Sequence, residues 1–251
     1  MQNGSSLDGK RVLITGASSG IGNAIARAFA GQGADIALLA RREERLRDLS
    51  EDLIGEGTKA FSFPVDLTET GPAQDAVNLA ASALGGLDIV INAAGVAYQA
   101  NLSNGDIEKW RAMLDLNVFA LAVVTREALP HFPEHGGHIV NISSMSGHRV
   151  PGKGGFYSAT KFAVRAMTEG LRQELRAKGN LTRVSSISPG FVETELLDVY
   201  FSGQKTGGGY GGVDYPILQP EEVAELVLHQ VTMPETAEVT DILVRPTGQK
   251  T

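Results

Sequence analysis

Tyr157 and Lys161 form a pair whose residue types and spacing could support chemistry. Four residues apart, they would lie on one face of a helix, with an ammonium group near a phenol. A free phenol has a pKa of about 10, and a neighbouring cation favours its ionised form and eases proton exchange. Ser144 lies thirteen residues upstream, just after a predicted strand, where its hydroxyl could polarise a carbonyl oxygen. Neither signal is specific alone, because the spacing could arise by chance and Ser144 could be an ordinary turn residue.

A glycine-rich turn, Thr15-Gly-Ala-Ser-Ser-Gly-Ile-Gly22, follows the first predicted strand and precedes an amphipathic helical pattern. Glycines at such a junction let backbone N–H groups approach a pyrophosphate at the positive end of the helix. The spacing is GxxxGxG, not the GxGxxG of the longer dinucleotide fingerprint. Any tight connection between a strand and a helix favours glycine, so it is the placement between these two elements that predicts dinucleotide binding.

The end of the second predicted strand bears on which dinucleotide would bind. Folds that bind NAD commonly carry an Asp or Glu there, which accepts hydrogen bonds from the adenosine ribose. Here the position is Ala40, followed by Arg41 and Arg42, whose guanidinium groups could hold a 2′-phosphate. The alternative is that both arginines simply begin a solvated helix, although two cations at a helix N-terminus are electrostatically unfavourable. The pattern favours NADP(H) over NAD(H).

Short apolar runs alternate with helical patterns and predict the elements that would position these residues. The predicted strands are residues 10–15, 35–40, 60–65, 87–92, 137–142, 183–187 and 241–245. Predicted helices follow the glycine turn and cover residues 41–53 and 73–84, and two long ones cover residues 107–130 and 156–178. Strands that are apolar on both faces indicate a parallel sheet with helices on each side. We therefore expect an α/β fold: a single domain over residues 1–251, with a Rossmann-like doubly wound sheet of about seven parallel strands.

Composition excludes several classes of protein. The 251 residues contain 22 Lys and Arg against 29 Asp and Glu, and this net charge of −7 argues against nucleic-acid binding. The chain has no cysteine, which excludes disulfides and Cys-ligated metal sites. The longest apolar run, residues 118–124, is far shorter than a membrane span, and the first residues are polar, so we expect a cytoplasmic protein. His131, His135 and His138 lack the spacing of a metal site and are predicted to be surface residues.

These motifs, taken in order, resemble those of the short-chain dehydrogenase/reductase family over almost the whole chain. Three more segments match: Asp66-Leu67, Asn92-Ala-Ala-Gly95 and Ser188-Pro-Gly-Phe-Val-Glu-Thr194. The positions that match the catalytic residues of the family are Asn117, Ser144, Tyr157 and Lys161. The resemblance implies cofactor contacts from Gly16, Ser18, Ser19, Gly20, Ile21, Arg41, Arg42, Asp66, Leu67, Asn92, Tyr157, Lys161, Pro189, Gly190, Val192 and Thr194.

The resemblance also implies roles. Tyr157 would be the general acid in carbonyl reduction and the base in alcohol oxidation, while Lys161 would lower its pKa and bind the nicotinamide ribose. Ser144 would orient the carbonyl oxygen, and Asn117 would hold a water that relays protons to Lys161. Hydride would pass directly between the substrate and NADP(H), so no metal is expected.

The implied substrate is a small ketone or aldehyde and its alcohol, as in the NADP-dependent carbonyl and ketosteroid reductases of the family. A 3-hydroxy acid dehydrogenase of the same family and a non-catalytic NADP-binding module are the alternatives. Two departures are Ser19, where many NADP users carry a basic residue, and Ala93, which replaces the second asparagine of Asn-Asn-Ala-Gly. Arg149 could bind a substrate carboxylate, although an arginine in such a loop is more often solvated or ion-paired.

In the family, the segment after the proline–glycine motif forms a lid over the substrate. This places a lid at about residues 195–215, and its glycine-rich part at residues 203–212 suggests that it moves. Members of the family usually assemble through the two long helices, so we expect a homodimer or homotetramer. Trp110 and Met113, on the first of these helices, are predicted to serve packing rather than recognition.

Overall fold

The computed structural model describes residues 7–152, 154–201, 205–206, 209–210 and 213–250. Its main sheet has seven parallel strands in the order β3-β2-β1-β4-β5-β6-β9. These strands are β1 (Arg11–Thr15), β2 (Asp35–Ala40), β3 (Ala60–Pro64), β4 (Ile89–Asn92), β5 (His138–Ile142), β6 (Arg183–Pro189) and β9 (Asp241–Val244). The predicted fold class is confirmed, and each predicted strand end lies within two residues of the observed one.

The strand order creates a crevice at the carboxyl edge of the sheet. The chain builds outward from β1 to β2 and β3, then returns to place β4 on the other side of β1. Connections therefore leave β1 and β4 toward opposite faces, and open α/β sheets bind ligands at such a point. In the β1–β4 register, Thr15 is the partner of Asn92, so the glycine turn and the loop after Asn92 start side by side.

The sheet is buried on both faces because neighbouring residues along each strand point in opposite directions. Ile14 joins a cluster on one face with Phe29 of the first helix, and the adjacent Leu13 joins a cluster on the other face with Val77. All four of these side chains are fully buried. Burial of this kind stabilises a fold by about 1.5–3 kcal/mol for each large apolar side chain.

Eight α-helices lie among the described residues and pack around this sheet or cover its carboxyl edge. They are α1 (Gly20–Ala30), α2 (Glu43–Gly55), α3 (Thr70–Leu84), α4 (Ile107–Leu114), α5 (Leu121–Ala128), α6 (Gly155–Ala177), α7 (Glu195–Tyr200) and α8 (Pro220–Val231). Single turns of 3₁₀ helix occur at Leu129–His131 and Met145–Gly147. The helix predicted at residues 156–178 is confirmed as α6, one residue earlier at each end.

The helix predicted over residues 107–130 is interrupted. Between α4 and α5 the chain forms a π-helical turn, Asp115–Ala120, and this turn carries Asn117. A π-turn inserts an extra residue into a helix, and such turns occur frequently at functional sites. Apolar periodicity continues across the interruption, so the pattern predicted one continuous helix.

Helix α8 is not among the predicted helices, although its start carries a recognisable signal. Pro220 occupies the first turn, and the Glu222 carboxylate accepts a 2.7 Å hydrogen bond from the backbone N–H of Gln219. Val223 and Val227 follow with a spacing of four residues and are fully buried in the cluster that contains Ile25 of α1. A capping residue, an early proline and this periodicity together predict a helix.

The segment predicted as a lid is only partly described. Helix α7, Glu195–Tyr200, forms its first part, and two short antiparallel strands, β7 (Lys205–Thr206) and β8 (Gly209–Tyr210), belong to its second part. Residues 202–204, 207–208 and 211–212, which hold most of the glycine-rich stretch, lie outside the described residues. Across the described ranges, no helix is long and apolar enough to cross a membrane.

Candidate active site

A cavity of about 640 Å³ lies along the carboxyl edge of the sheet. Most of the predicted site residues line it, although they come from segments far apart in the chain. They are Gly16, Ser18, Ser19, Gly20, Ile21, Arg41, Arg42, Asp66, Leu67, Ser144, Tyr157, Lys161, Pro189, Gly190, Val192 and Thr194. The fold therefore brings together the glycine turn, the arginines after β2 and the predicted catalytic residues around one space.

Two predicted residues do not line this cavity. Asn92 is buried beneath it and donates hydrogen bonds to Thr125 Oγ1 (3.0 Å) and Asn141 Oδ1 (2.9 Å). Asn117 is also buried, and its amide both accepts from the backbone N–H of Val96 (2.8 Å) and donates to the carbonyl of Val96 (2.9 Å). These bonds hold the loop after β4 against the cavity.

Helix α6 places Tyr157 in its first turn and Lys161 one turn later, on the face that meets the cavity. The Lys161 ammonium lies 5.8 Å from the centre of the Tyr157 ring and donates a 2.9 Å hydrogen bond to the carbonyl of Ile142, the last residue of β5. Ser144, two residues beyond β5, accepts a 3.1 Å hydrogen bond from the backbone N–H of Ser146. A strand end and a helix start thus bring the three side chains to one wall.

Burial is the main influence on the pKa values of Tyr157 and Lys161. It raises the pKa of Tyr157, an effect that the Ser144 side chain opposes and that Tyr200 reinforces. Burial also lowers the pKa of Lys161 to about 8. The family resemblance implies that Lys161 lowers the pKa of Tyr157. In this structure the largest effect on the phenol is loss of solvent, which disfavours its charged form.

The glycine turn has the geometry of an anion-binding site. Gly16 has a φ of +68°, and a Cβ there would lie 2.8 Å from backbone atoms of Ala94. Only glycine permits this conformation and this close approach. Ser19 precedes α1, but within the described part of the chain its side chain does not cap the helix. The first N–H groups of α1 thus remain available to a pyrophosphate inside the cavity, which fits a dinucleotide.

The two arginines after β2 have different environments. Arg42 lies over the glycine turn, where it donates hydrogen bonds to the hydroxyls of Ser18 (3.1 Å) and Ser19 (2.5 Å). The Arg41 side chain is 69% exposed and lies 3.9 Å from Asp66. Both line the cavity, and Arg42 is the more firmly positioned of the two.

Glu195 and Arg45 belong to this region but were not among the predicted site residues. The Glu195 carboxylate accepts hydrogen bonds of 2.5 Å from both Arg42 and Arg45, and so joins the start of α7 to the start of α2. The hydrogen bonds from Arg45 and then Arg42 lower the pKa of Glu195 to about 2. Glu195 is 150 residues from Arg45 in the chain, and no local pattern signals this contact.

A second unpredicted cluster, centred on Asp241 of β9, supports the catalytic wall. Its carboxylate accepts hydrogen bonds from Ser186 (2.8 Å) and Ser188 (2.9 Å) of β6 and lies 3.0 Å from His148 Nε2. His148 follows the 3₁₀ turn that begins after Ser144. The cluster therefore ties the last strand of the sheet to the segment that presents Ser144.

Aromatic residues surround the wall that carries Tyr157. Trp110 stacks on Phe156 with ring centres 5.1 Å apart, and Tyr200 of α7 lies 6.1 Å from Tyr157. Met113 is fully buried and packs in the same cluster. Trp110 and Met113 do not line the cavity, which agrees with the packing role predicted for them.

One of the three histidines differs from expectation. His138 lies in β5 and is 2% exposed, with Nε2 2.7 Å from the hydroxyl of Ser185. Burial, and next the charge of Arg183, lowers its pKa to about 3, so it is neutral at physiological pH. The prediction of a surface residue was wrong because His138 occupies an inward position of a central strand. Among the described residues, no group of three potential ligands could hold a metal ion.

Comparisons with known proteins identify the family. A family model described as short chain dehydrogenase matches residues 10–205. A bovine protein named dehydrogenase/reductase SDR family member 11 is 39% identical over 246 residues, which cover 95% of this chain and 96% of the relative. The closed form of a serine dehydrogenase complexed with NADP⁺ superposes with a TM-score of 0.88 at 32% identity, over 96% of each chain. A short-chain dehydrogenase/reductase from Burkholderia phymatum in complex with NAD has a TM-score of 0.83 at 26% identity, over 95% of this chain and 89% of the other. This chain belongs to the short-chain dehydrogenase/reductase family, whose members are oxidoreductases that use a nicotinamide cofactor.

Proposed function

We propose that this oxidoreductase uses NADP(H) to interconvert a ketone or aldehyde and the corresponding alcohol. The observation that carries the proposal is the convergence of Ser144, Tyr157 and Lys161 on one cavity wall, in the same space as the glycine turn and Arg42. The bound nicotinamide supplies the hydride in reduction and accepts it in oxidation.

In this proposal, Tyr157 moves the proton. Its buried phenol is protonated at neutral pH, so it can donate from Oη to the substrate oxygen as a carbonyl is reduced. Ser144 donates a hydrogen bond to the same oxygen and holds it in place. In alcohol oxidation the tyrosinate form of Tyr157 accepts the proton of the substrate hydroxyl, and Ser144 keeps its hydrogen bond to the same oxygen.

Lys161 stabilises the tyrosinate that forms when the proton leaves. With a pKa of about 8, the ammonium is mostly charged at neutral pH and lies in a dry environment where its charge acts strongly. The proposed water relay through Asn117 remains a prediction from the family. The bonds from Asn117 to Val96 support a positioning role for the loop after β4.

The preference for NADP(H) rests on the residues after β2. The two residues directly after Ala40 are arginines rather than acids, and Arg42 is held by Ser18 and Ser19 at the glycine turn, where its guanidinium could meet a 2′-phosphate. Arg41 lies on the same side of the cavity and adds a second positive charge. The compared structures include both an NADP⁺ and an NAD complex, so the choice of cofactor is part of the proposal.

We also propose that the protein forms a homodimer or homotetramer through the helices on either side of Asn117 and through α6. Exposed apolar side chains on these elements support such an interface: Ile107, Leu114, Phe119 and Phe162 are each more than 40% exposed. Sedimentation equilibrium that gave a monomer at micromolar concentration would contradict it. The cytoplasmic location remains a prediction from the sequence.

The function is tested by absorbance at 340 nm, with NADPH and NADH run in parallel against diketones, aldehydes, ketosteroids and oxo acids. Tyr157→Phe should bind NADPH but lose turnover, because it keeps the ring and lacks the transferable proton. Arg42→Ala should weaken the binding of NADPH far more than the binding of NADH. Equal use of both cofactors by the parent would contradict the NADP(H) assignment. Cofactor binding without turnover of any carbonyl would favour a non-catalytic binding module.

A further inference from the structure

Arg149 places a guanidinium at the substrate end of the cavity. Arg149 follows the 3₁₀ turn after Ser144, and its backbone N–H donates a 3.2 Å hydrogen bond to the carbonyl of Met145, which fixes the residue in that turn. The side chain lines the same cavity as Tyr157. Its Nη1 atom is buried, yet it has no hydrogen-bond partner among the described residues.

A buried charged donor without a partner is costly, because it has left water and gained nothing in exchange. Other arginines in the described ranges illustrate the usual outcome: Arg165 donates to the carbonyl of Gly147 at 2.9 Å, and Arg183 donates to three backbone carbonyls. An unpartnered group of this kind in a native cavity therefore indicates a partner that arrives with the ligand.

The charges around the cavity favour an anion at this position. Within the described chain, the acidic residues that line the cavity are Asp66 and Glu195, and both lie at the cofactor end beside Arg41 and Arg42. Among the described residues, no Asp or Glu carboxylate lies within 4 Å of the Arg149 side chain. The residues outside the described ranges include no Asp or Glu. Exposed Asp214, next to Tyr215, is a nearby acid, and it makes no ion pair with Arg149 within that distance.

The remaining walls at this end are mostly apolar. They are formed by Val96, Ala97, Pro151, Leu196, Val199 and Phe201. Such walls suit a short hydrocarbon segment between the oxygen that meets Ser144 and Tyr157 and a charged group that meets Arg149. A carboxylate matches the planar fork of a guanidinium and could accept two hydrogen bonds from it.

We propose that Arg149 is the specificity-determining residue of this site and that the substrate carries a carboxylate: an oxo acid, and in the reverse direction a hydroxy acid. The inference rests on the proposed function and makes it more specific. Tyr157 and Ser144 bind the reacting oxygen, and Arg149 binds the carboxylate at the other end of the substrate.

The test uses the full-length enzyme in the oxidation direction, where the substrates are stable. Straight-chain hydroxy acids of several chain lengths, with the hydroxyl at carbon 2 or 3, are each compared with their methyl esters, and NADP⁺ reduction is followed at 340 nm. The quantity measured is the ratio of kcat/KM for the acid to kcat/KM for its ester. Arg149→Met removes the charge and keeps much of the length, while Arg149→Lys keeps the charge and loses the fork.

The parent should prefer the acid at one chain length or more. In Arg149→Met the ratio should fall by about 10- to 100-fold, the usual effect of losing a hydrogen-bonded charge pair, and Arg149→Lys should recover part of it. Arg165→Met is the matched control. Arg165 bonds to the same turn but does not line the cavity, so its loss should affect acid and ester alike.

Two results would overturn the inference and leave the proposed function intact. One is a parent enzyme that oxidises the esters as well as or better than the acids at every chain length. The other is a ratio that falls as much in Arg165→Met as in Arg149→Met, which would show that the turn matters and the cavity charge does not. If the parent turns over no alcohol or carbonyl in the wider panel, the proposed function itself fails, and the inference fails with it. Circular dichroism and NADPH binding confirm that each variant is folded.

Discussion

Lys161 should make the stability of the cofactor-free protein depend on pH in a direction opposite to that of a lysine that gains an ion-pair partner on folding. Its side chain is 5% exposed, and burial lowers its pKa from 10.5 to about 8. Between these values the unfolded chain binds more protons than the folded protein. The free energy of unfolding therefore rises with pH over this interval.

The magnitude follows from the size of the change in pKa. A fall from 10.5 to about 8 corresponds to about 3 kcal/mol of destabilisation when Lys161 is charged in both states, and about 2 to 3 kcal/mol of it is relieved between pH 7 and pH 10. In Lys161→Met the destabilisation from burying a charged ammonium is absent. The hydrogen bond to the carbonyl of Ile142 is also lost, which costs about 1 kcal/mol of stability. We expect the variant to be more stable than the parent by about 2 kcal/mol at pH 7, with no advantage at pH 10.

The assay is urea unfolding followed by circular dichroism at pH 7, 8, 9 and 10, on parent and variant without cofactor. The difference between the two cancels the titration of every other group. Lys178→Met is the matched control, because Lys178 is exposed at the end of the same helix and its replacement removes a lysine while the buried Lys161 stays in place. A Lys161→Met difference that stays constant from pH 7 to pH 10 would refute the reasoning. The reasoning would also be refuted if the free energy of unfolding of the parent rose relative to that of Lys161→Met as the pH falls.

Three other substitutions test separate parts of the structure. Gly16→Ala should lower the free energy of unfolding by about 2 to 4 kcal/mol in urea titrations, because the new Cβ would collide with the backbone of Ala94 in a left-handed conformation; a loss below about 0.5 kcal/mol would contradict this reading of the turn. Asp241→Asn should cost about 1 to 3 kcal/mol by the same assay and lower kcat, since it weakens the bonds to β6 and the contact with His148, which follows the turn after Ser144; unchanged stability would show that the cluster is incidental. Glu195→Gln should tighten NADPH binding by about 2- to 5-fold and leave NADH unchanged in fluorescence titrations, because it removes a negative charge that shares Arg42 with the proposed 2′-phosphate; equal effects on both cofactors would place the phosphate elsewhere.

The strands and the glycine turn could be predicted because their signals are local. A strand buried on both faces is a short apolar run, as at Asp35–Ala40, where the predicted and observed bounds coincide. The turn after β1 needs glycine for its conformation, so the requirement is visible in the residue types. The spacing of Tyr157 and Lys161 also follows from helix geometry alone.

The features that were missed depend on contacts between distant segments. The pairing of Glu195 with Arg42 and the bonds of Asp241 to β6 join residues far apart in the chain, and charged residues at these positions look solvated in sequence. The π-turn around Asn117 leaves the apolar periodicity intact, so a continuous helix was predicted. The raised pKa of Tyr157 reflects how completely the fold removes water from the phenol, which residue types do not reveal.

The Asp241 cluster also bears on the order in which the protein acquires structure and activity. Strand β9 carries no proposed catalytic residue, yet the carboxylate of its Asp241 contacts both β6 and His148. The bond between Ser186 and Asp241 joins residues 55 positions apart in the chain. The Arg11–Asp88 ion pair likewise closes a separation of 77 residues where β1 meets β4. Contacts this distant in sequence form slowly, because a large loop must be closed before they stabilise anything. During refolding, helices can therefore form early while the catalytic wall stays incomplete until the final strand docks, so recovery of activity should lag behind recovery of helical signal.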